Sequence, residues 1–369
     1  MLRRPHWRTW IGILIVLVLG WWIHDVLFTA LRRVTAPIRS QSKYLTLYNT
    51  LPKVAKCLND PYTMHPKEVF LSVIPEYPSK PFSFRPLLDT IHIVTVAVPV
   101  TDQDVMVELA IQLLQSVDTF ARRNPIQFHV VTNALGRAQF HKDPWLNTLT
   151  IQYHDPNLEA DWKPLFRPYS AQRLFLHRLL PELDRVIYLD ADTLVTRDVA
   201  DLWEWFEHMS PHHTIAATRE SEILDGFYLR VSDPRLPFVG YTGINAGVLL
   251  LHLDRQRHSD SSWDADMARI LFHYQELLWL GDQDVLNVWG AQHPESVMLL
   301  PCVWNVREDS WCRFARPGDL GIVHGNRGTL DGHRHADHWI YGMSNFIRHH
   351  PFQHAPWHYQ YGKFMSRIV

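Results

Sequence analysis

Apolar positions fall into three regimes along the chain. From Trp10 to Ile23 they are unbroken, and after His24 and Asp25 they resume at Val26, Leu27 and Phe28. As a helix, Trp10 to Phe28 rises about 28 Å, close to the ~30 Å hydrocarbon thickness of a bilayer. Between residues 31 and 90 no apolar period is sustained, and 8 of the 24 prolines gather there, among them Pro75, Pro78, Pro81 and Pro86. Proline at that density interrupts helix and favours extended, solvated chain. From Ile91 onward, short β-branched runs alternate with helical spacing. Strands are predicted at Ile91 to Val98, Gln127 to Val131, Leu149 to Tyr153, Arg185 to Leu189, Thr214 to Thr218 and Gly247 to Leu253. Helices are predicted at Val105 to Arg122, Ser170 to Leu180, Asp264 to Leu278 and Gln283 to Trp289. The alternation predicts an α/β fold with βαβ crossovers, a mostly parallel central sheet and ligand binding at the carboxyl ends of its strands.

Composition narrows the class. The 369 residues suffice for one large domain, and 46% hydrophobic content argues against bulk disorder. Lys plus Arg number 36 against 38 Asp plus Glu, a net charge of −2, which offers no basic surface for nucleic acid. Histidine (23) and tryptophan (15) are both in excess.

The apolar terminus is flanked by Arg3, Arg4 and Arg8 on one side and Arg32 and Arg33 on the other. The balance orients the amino terminus toward the cytoplasm. Phe28 and Ala30 fit a signal-peptidase site poorly, so the reading is an anchor rather than a cleaved leader. The expected organisation is a cytoplasmic tail (1–9), a transmembrane signal anchor (10–30), a lumenal stem (31–90) and a globular domain (91–369), in a single-pass type II protein with the bulk of the chain lumenal. In an oxidising lumen Cys302 and Cys312 are close enough in sequence to bridge, while Cys57, alone in the stem, is a candidate for a stem-linked dimer.

The strongest local chemistry is Arg185 to Val195, RVIYLDADTLV, an apolar strand ending in Asp190 and Asp192. In extended chain, residues two apart point the same way, so both carboxylates can face one divalent cation able to neutralise a diphosphate. Capping of a turn by the same aspartates is the plainer alternative. A D-x-D-x-T step also fits phosphatases resembling the haloacid dehalogenases, but it lies deep in the domain rather than on its first strand. No convincing partner lysine and acidic pair follows it.

Gly240 to Leu251 (GYTGINAGVLLL) is a glycine-flanked polar step into a buried strand, with the Asn245 amide able to donate and accept. Gly281 to Asn287 (GDQDVLN) sets two carboxylates and an amide at a helix start, where Asp282 is a natural N-cap. Pro301 to Arg307 (PCVWNVR) and Gly321 to Gly328 (GIVHGNRG) follow; in its glycine-rich loop the His324 imidazole can face a ligand, a mixed oxygen and nitrogen set suits Mn²⁺, and a structural histidine is the plainer alternative. His333, His335 and His338 read as a solvated tail.

In this order the segments resemble the retaining glycosyltransferases of family 8, the group that includes glycogenin and bacterial galactosyltransferases. With WKPLF and YSAQRLFL (Trp162 to Leu176) they resemble most the glucoside xylosyltransferase branch, which adds xylose to O-linked glucose on epidermal growth factor-like repeats such as those of Notch. The resemblance covers about residues 90 to 350. It implies a GT-A type nucleotide-sugar-binding fold and Mn²⁺ held by Asp190, Asp192 and His324. UDP-xylose would be the donor and an O-glucosylated repeat the acceptor, joined by an α-1,3 linkage; the alternative is a sister enzyme that extends the xylosyl-glucose disaccharide or a family member using another UDP-sugar.

It further implies that Arg173 lies over the donor phosphate and sugar, that Val96 and Ala97 lie along uracil and ribose, and that Asn245, Ala246 and Gly247 form the donor-sugar loop. Asp282 and Gln283 would lie beneath the anomeric carbon, Gly325 and Arg327 would contact the donor, and Trp304 and Asn305 would wall the acceptor site. Val98 and Pro99 depart from the small polar stretch expected after the first strand, and Arg327 stands nearest to a usual lysine.

Overall fold

The computed structural model describes residues 89–162, 165, 169–224, 227–258, 262–312 and 319–326. The expected anchor, nearly all of the stem, Cys57, Arg327 and the tail histidines lie outside them. Among the described residues no helix is long and apolar enough to cross a membrane. Apart from residues 234–237, the described residues fall in one unit, and every element below belongs to it.

β1 (Ile91–Val96), β2 (Ile126–Val131), β3 (Ile151–His154) and β4 (Val186–Leu189) run parallel, ordered β3-β2-β1-β4. Near-continuous Val and Ile runs suit strands covered on both faces. Helix α1 (Met106–Phe120) buries Val107, Ala110, Leu113, Leu114 and Val117, spaced three and four apart along one stripe. Each such side chain contributes roughly 1.5–3 kcal/mol on burial. The same helix turns Ser116 inward, where its hydroxyl accepts from the Val195 N–H at 3.0 Å.

The sheet continues past β4 through β7 (Ile244–Leu251), β6 (Ile215–Arg219) and β8 (Val297–Leu300). β7 is antiparallel to both β4 and β6, so the sheet is mostly parallel with one reversed strand. Leu189 pairs with Val248, and the Asp190 N–H donates to the Gly247 carbonyl at 2.8 Å. The first residues of β7 therefore pass the carboxyl end of β4 and deliver Asn245, Ala246 and Gly247 to the edge where parallel sheets bind ligands.

A separate ribbon pairs β5 (Thr193–Val195) with β9 (Ile322–His324), Thr193 opposite His324. β9 follows the turn at Cys302–Trp304, which opens the loop closed by the Cys302–Cys312 disulfide (Cα–Cα 5.6 Å).

Two expected helices are subdivided. Ser170 to Leu180 is a 3₁₀ segment, Ser170–Phe175, then a short α-turn, Leu176–Leu179. The Arg173 Nε donates to the Ser170 carbonyl, competing with regular α-helical pairing. The other ends as α-helix at Tyr274, with a 3₁₀ turn Gln275–Leu277 beyond. On β1, β2 and β3, His92, His129 and His154 form a row with ring nitrogens 3.0 and 3.1 Å apart.

Candidate active site

Asp190 and Asp192 do not lie on extended chain as expected. The Asp190 carbonyl accepts from the Thr193 N–H (3.1 Å) and hydroxyl (2.7 Å), so the D-x-D step is a turn between β4 and β5. The carboxylates converge nonetheless, because the turn folds Asp192 back over the end of β4. With Thr193 paired to His324 and the Gly325 N–H donating to the Asp192 carbonyl at 2.7 Å, β9 carries an imidazole to the same point. His324 Nε2 lies 3.3 Å from Asp192 Oδ1 and 3.8 Å from Asp190 Oδ2, and one donor atom from each residue falls within 4.8 Å of the others. Two hard oxygen donors and one imidazole fit Mn²⁺ or a similar divalent ion.

The geometry assigns the two oxygens of Asp190 separately. Oδ1 accepts from the Tyr188 hydroxyl at 2.7 Å and from Arg173 Nη2 at 2.8 Å, while Oδ2 faces His324. Arg173 is 8% exposed and lies over the Tyr188 ring at 4.6 Å. Its Nε contacts Asp282 Oδ2 at 2.8 Å and its Nη1 donates to the Ala246 carbonyl at 2.6 Å. Burial works against its charge, but Asp190 and Asp282 outweigh that and hold the guanidinium above its usual pKa. Burial raises Asp282, with Arg173 opposing.

Gly281, at φ +60°, takes the N-cap position of helix α2 (Asp282–Gln292), so Asp282 is its first residue and not its cap. The Asn287 amide clamps that helix to β7, accepting from the Ile244 N–H at 2.8 Å and donating to the Ile244 carbonyl at 2.9 Å. Gln283 is thereby set against the start of β7: its Oε1 accepts from Asn245 Nδ2 (3.0 Å) and the Ala246 N–H (3.3 Å).

Other expected residues fall differently. Ala97 is fully enclosed, with its carbonyl accepting from the Thr132 hydroxyl, and offers no side-chain surface to a nucleoside; Val96 beside it is also buried. Trp304 is core, under the Arg197 guanidinium at 4.9 Å and against Gly321, where a Cβ would come within 2.5 Å of the indole. Asn305 is 1% exposed and holds other side chains instead of facing solvent.

Two participants were missed. Tyr188, two residues before Asp190, orients one carboxylate oxygen, and Glu220, just past β6, is 3% exposed beneath Asn245 and Gln283. Burial raises the Glu220 pKa, with Arg307 opposing. A carboxylate directly after a buried strand was the available signal.

The model of glycosyl transferase family 8 matches residues 53–310. The chain belongs to glycosyltransferase family 8. The family match begins inside the stretch expected as a stem and ends before His324. Human glucoside xylosyltransferase 1 is 31% identical over 301 residues, 74% of this chain and 66% of that protein. Mouse glucoside xylosyltransferase 2 is 30% identical over 271 residues, 67% of this chain and 60% of that protein. The chain thus spans somewhat less than two thirds of either relative. Among solved family folds, mouse xyloside xylosyltransferase 1 superposes with a TM-score of 0.53 at 21% identity, covering 65% of this chain and 99% of that one. An active-site mutant of LgtC gives 0.54 at 18% identity, over 74% and 100%. Both share the GT-A-like α/β fold.

Proposed function

We propose that this family 8 enzyme transfers xylose from UDP-xylose to O-linked glucose on epidermal growth factor-like repeats, with retention of configuration and an α-1,3 linkage. The convergence of Asp190, Asp192 and His324 at the carboxyl end of β4 carries the assignment of nucleotide-sugar chemistry. Similarity to glucoside xylosyltransferases supports the choice of donor and acceptor.

Asp190, Asp192 and His324 would hold Mn²⁺, which when bound supplies positive charge to the donor diphosphate. Arg173, between Asp190 and Asp282, contributes a fixed cation beside the same carboxylates, and its burial strengthens its field on a departing phosphate. Gln283 Oε1 already accepts two N–H bonds, which draws electron density from an amide oxygen that is a weak nucleophile. Its role is charge stabilisation at the anomeric carbon. The acceptor hydroxyl then attacks from the face that UDP leaves, its proton passing to the departing diphosphate oxygen on that face, and configuration is retained. Residues 10–30 would anchor the enzyme with this domain in the lumen of the endoplasmic reticulum or Golgi.

Incubating the full-length chain with a panel of UDP-sugars and an O-glucosylated repeat, with and without Mn²⁺, tests the reading. Xylose transfer that needs Mn²⁺ and gives an α-linked product by NMR is expected. A β-linked product would remove retention, and preference for another UDP-sugar would remove the donor assignment. Full transfer by Asp192→Asn would remove the metal site.

A further inference from the structure

Four buried polar side chains form a line behind the metal site, and the donor direction at each link follows from chemistry. At one end stands the Glu220 carboxyl; near the middle the Gly247 main-chain N–H only donates, and that fixes the direction. Asn245 lies between them, with Nδ2 2.8 Å from Glu220 Oε2 and Oδ1 accepting from Gly247 N at 2.9 Å. Its amide can point only one way. Asn305 Nδ2, 2.8 Å from Asn245 Oδ1, must therefore donate to it, and this turns Asn305 Oδ1 toward His324 Nδ1 at 3.0 Å. An acceptor there requires a proton on His324 Nδ1. The Nε2 lone pair is then left directed at Asp192 and Asp190.

We propose that Asn305 is a positioning residue, the last link of a directional hydrogen-bond chain from Glu220 through Asn245 that fixes the His324 tautomer and ring orientation for metal binding. The proposal rests on the metal-centre reading above and replaces the expected acceptor-wall role of Asn305. Two features make it specific to this residue. Asn305 is 1% exposed and so has no surface for an acceptor. It also lies inside the Cys302–Cys312 loop, its N–H donates to the Cys302 carbonyl at 2.9 Å, and the next residue, Val306, bridges to Val323 of β9, so its backbone is held where β9 passes. A partner on the distal nitrogen of a ligating histidine typically supports metal affinity by about 10- to 100-fold.

The test separates an acceptor for His324 from general packing. Mn²⁺ binding to the full-length chain, without any sugar, is measured by the loss of the free-ion EPR signal for the parent, Asn305→Leu and Asn305→Asp. Leucine has similar size but removes the acceptor, so Mn²⁺ affinity should fall about tenfold or more. Aspartate keeps an acceptor for His324 Nδ1 while facing Asn245 Oδ1 with a second acceptor, so it should keep affinity within about threefold despite a loss of thermal stability. If Asn305 served only in packing, the order would reverse, and that result overturns the proposal.

Nitrogen-15 spectra of the metal-free parent, with His324 assigned by its loss in His324→Gln, give a readout independent of how the Asn305 variants fold. Protonation at Nδ1 supports the chain direction, and a neutral ring protonated at Nε2 overturns it. A parent that binds Mn²⁺ but transfers no sugar sinks the proposed activity and leaves this inference standing. A parent that binds no Mn²⁺ overturns both the metal centre and the inference.

Discussion

Gly247 shows how narrow the tolerances of the site are. A Cβ built there would lie 2.1 Å from His324 Cε1 and 2.5 Å from Nδ1, so the imidazole occupies the space that any other residue would fill. Gly247→Ala should displace the ring and cost about 1–3 kcal/mol of stability by overpacking. Mn²⁺ affinity should drop at least about tenfold, read by calorimetric titration of the folded variant. Unchanged affinity would mean that His324 is not held where the metal needs it. Asp190 and Asp192 stood out as carboxylates at a strand end, whereas His324 alone read more plainly as structural and joined them through the resemblance to family 8. Tyr188, Glu220 and the linking role of Asn305 were not, because each acts through a partner distant in sequence. Glu220 reaches Asn245 and Gln283, and Asn305 joins Asn245 to His324.

At the scale of elements, β1, α1, β2 and β4 were readable from apolar runs and helical spacing, whereas the direction of β7 was not. INAGVLLL is apolar enough to be buried in either orientation, and only its pairing with β4 and β6 sets it antiparallel. The D-x-D turn was hidden for a similar reason: the sequence marks where β4 ends but not the bend made by the Thr193 hydrogen bonds. The histidine row across β1, β2 and β3 has a consequence for acid stability. Burial, with help from His92 and His154, lowers the His129 pKa from 6.5 to about 3. Burial also lowers His92 and His154, opposed by Glu182 and, at His154, by Asp155, while Arg137 adds to the lowering there.

The unfolded chain thus takes up protons below about pH 6.5 that the folded sheet refuses, so stability is full above that pH and is lost as pH falls toward 3. From His129 alone the loss between pH 7 and pH 5 is about 2 kcal/mol. Thermal melts of metal-free chain should show Tm falling over that interval, with a shallower fall in His129→Gln. A Tm that does not move would show that the row is not kept neutral by the fold.

For the whole molecule, a net charge of −2 means that an anionic donor gains little from the general surface. Its recognition would depend on Asp190, Asp192 and His324 with their ion, and on buried Arg173. Raising salt from about 50 to about 500 mM should therefore change KM for the UDP-sugar by less than about threefold, because buried charges are poorly screened. Chelation should abolish transfer at either salt, and a steep salt dependence with no effect of chelator would reverse the assignment. The anchor and stem, read from hydropathy and proline content alone, remain the proposal that topology mapping of the amino terminus would test.

The β5–β9 ribbon also sets the order in which the enzyme can become active during its own synthesis. Asp190 and Asp192 emerge from the ribosome with the middle of the sheet, but β9 and His324 follow only after β8 and the Cys302–Cys312 bridge. A growing chain can complete its seven strands while the third ligand is still missing. The three-residue cluster then stays incomplete until β9 has left the ribosome.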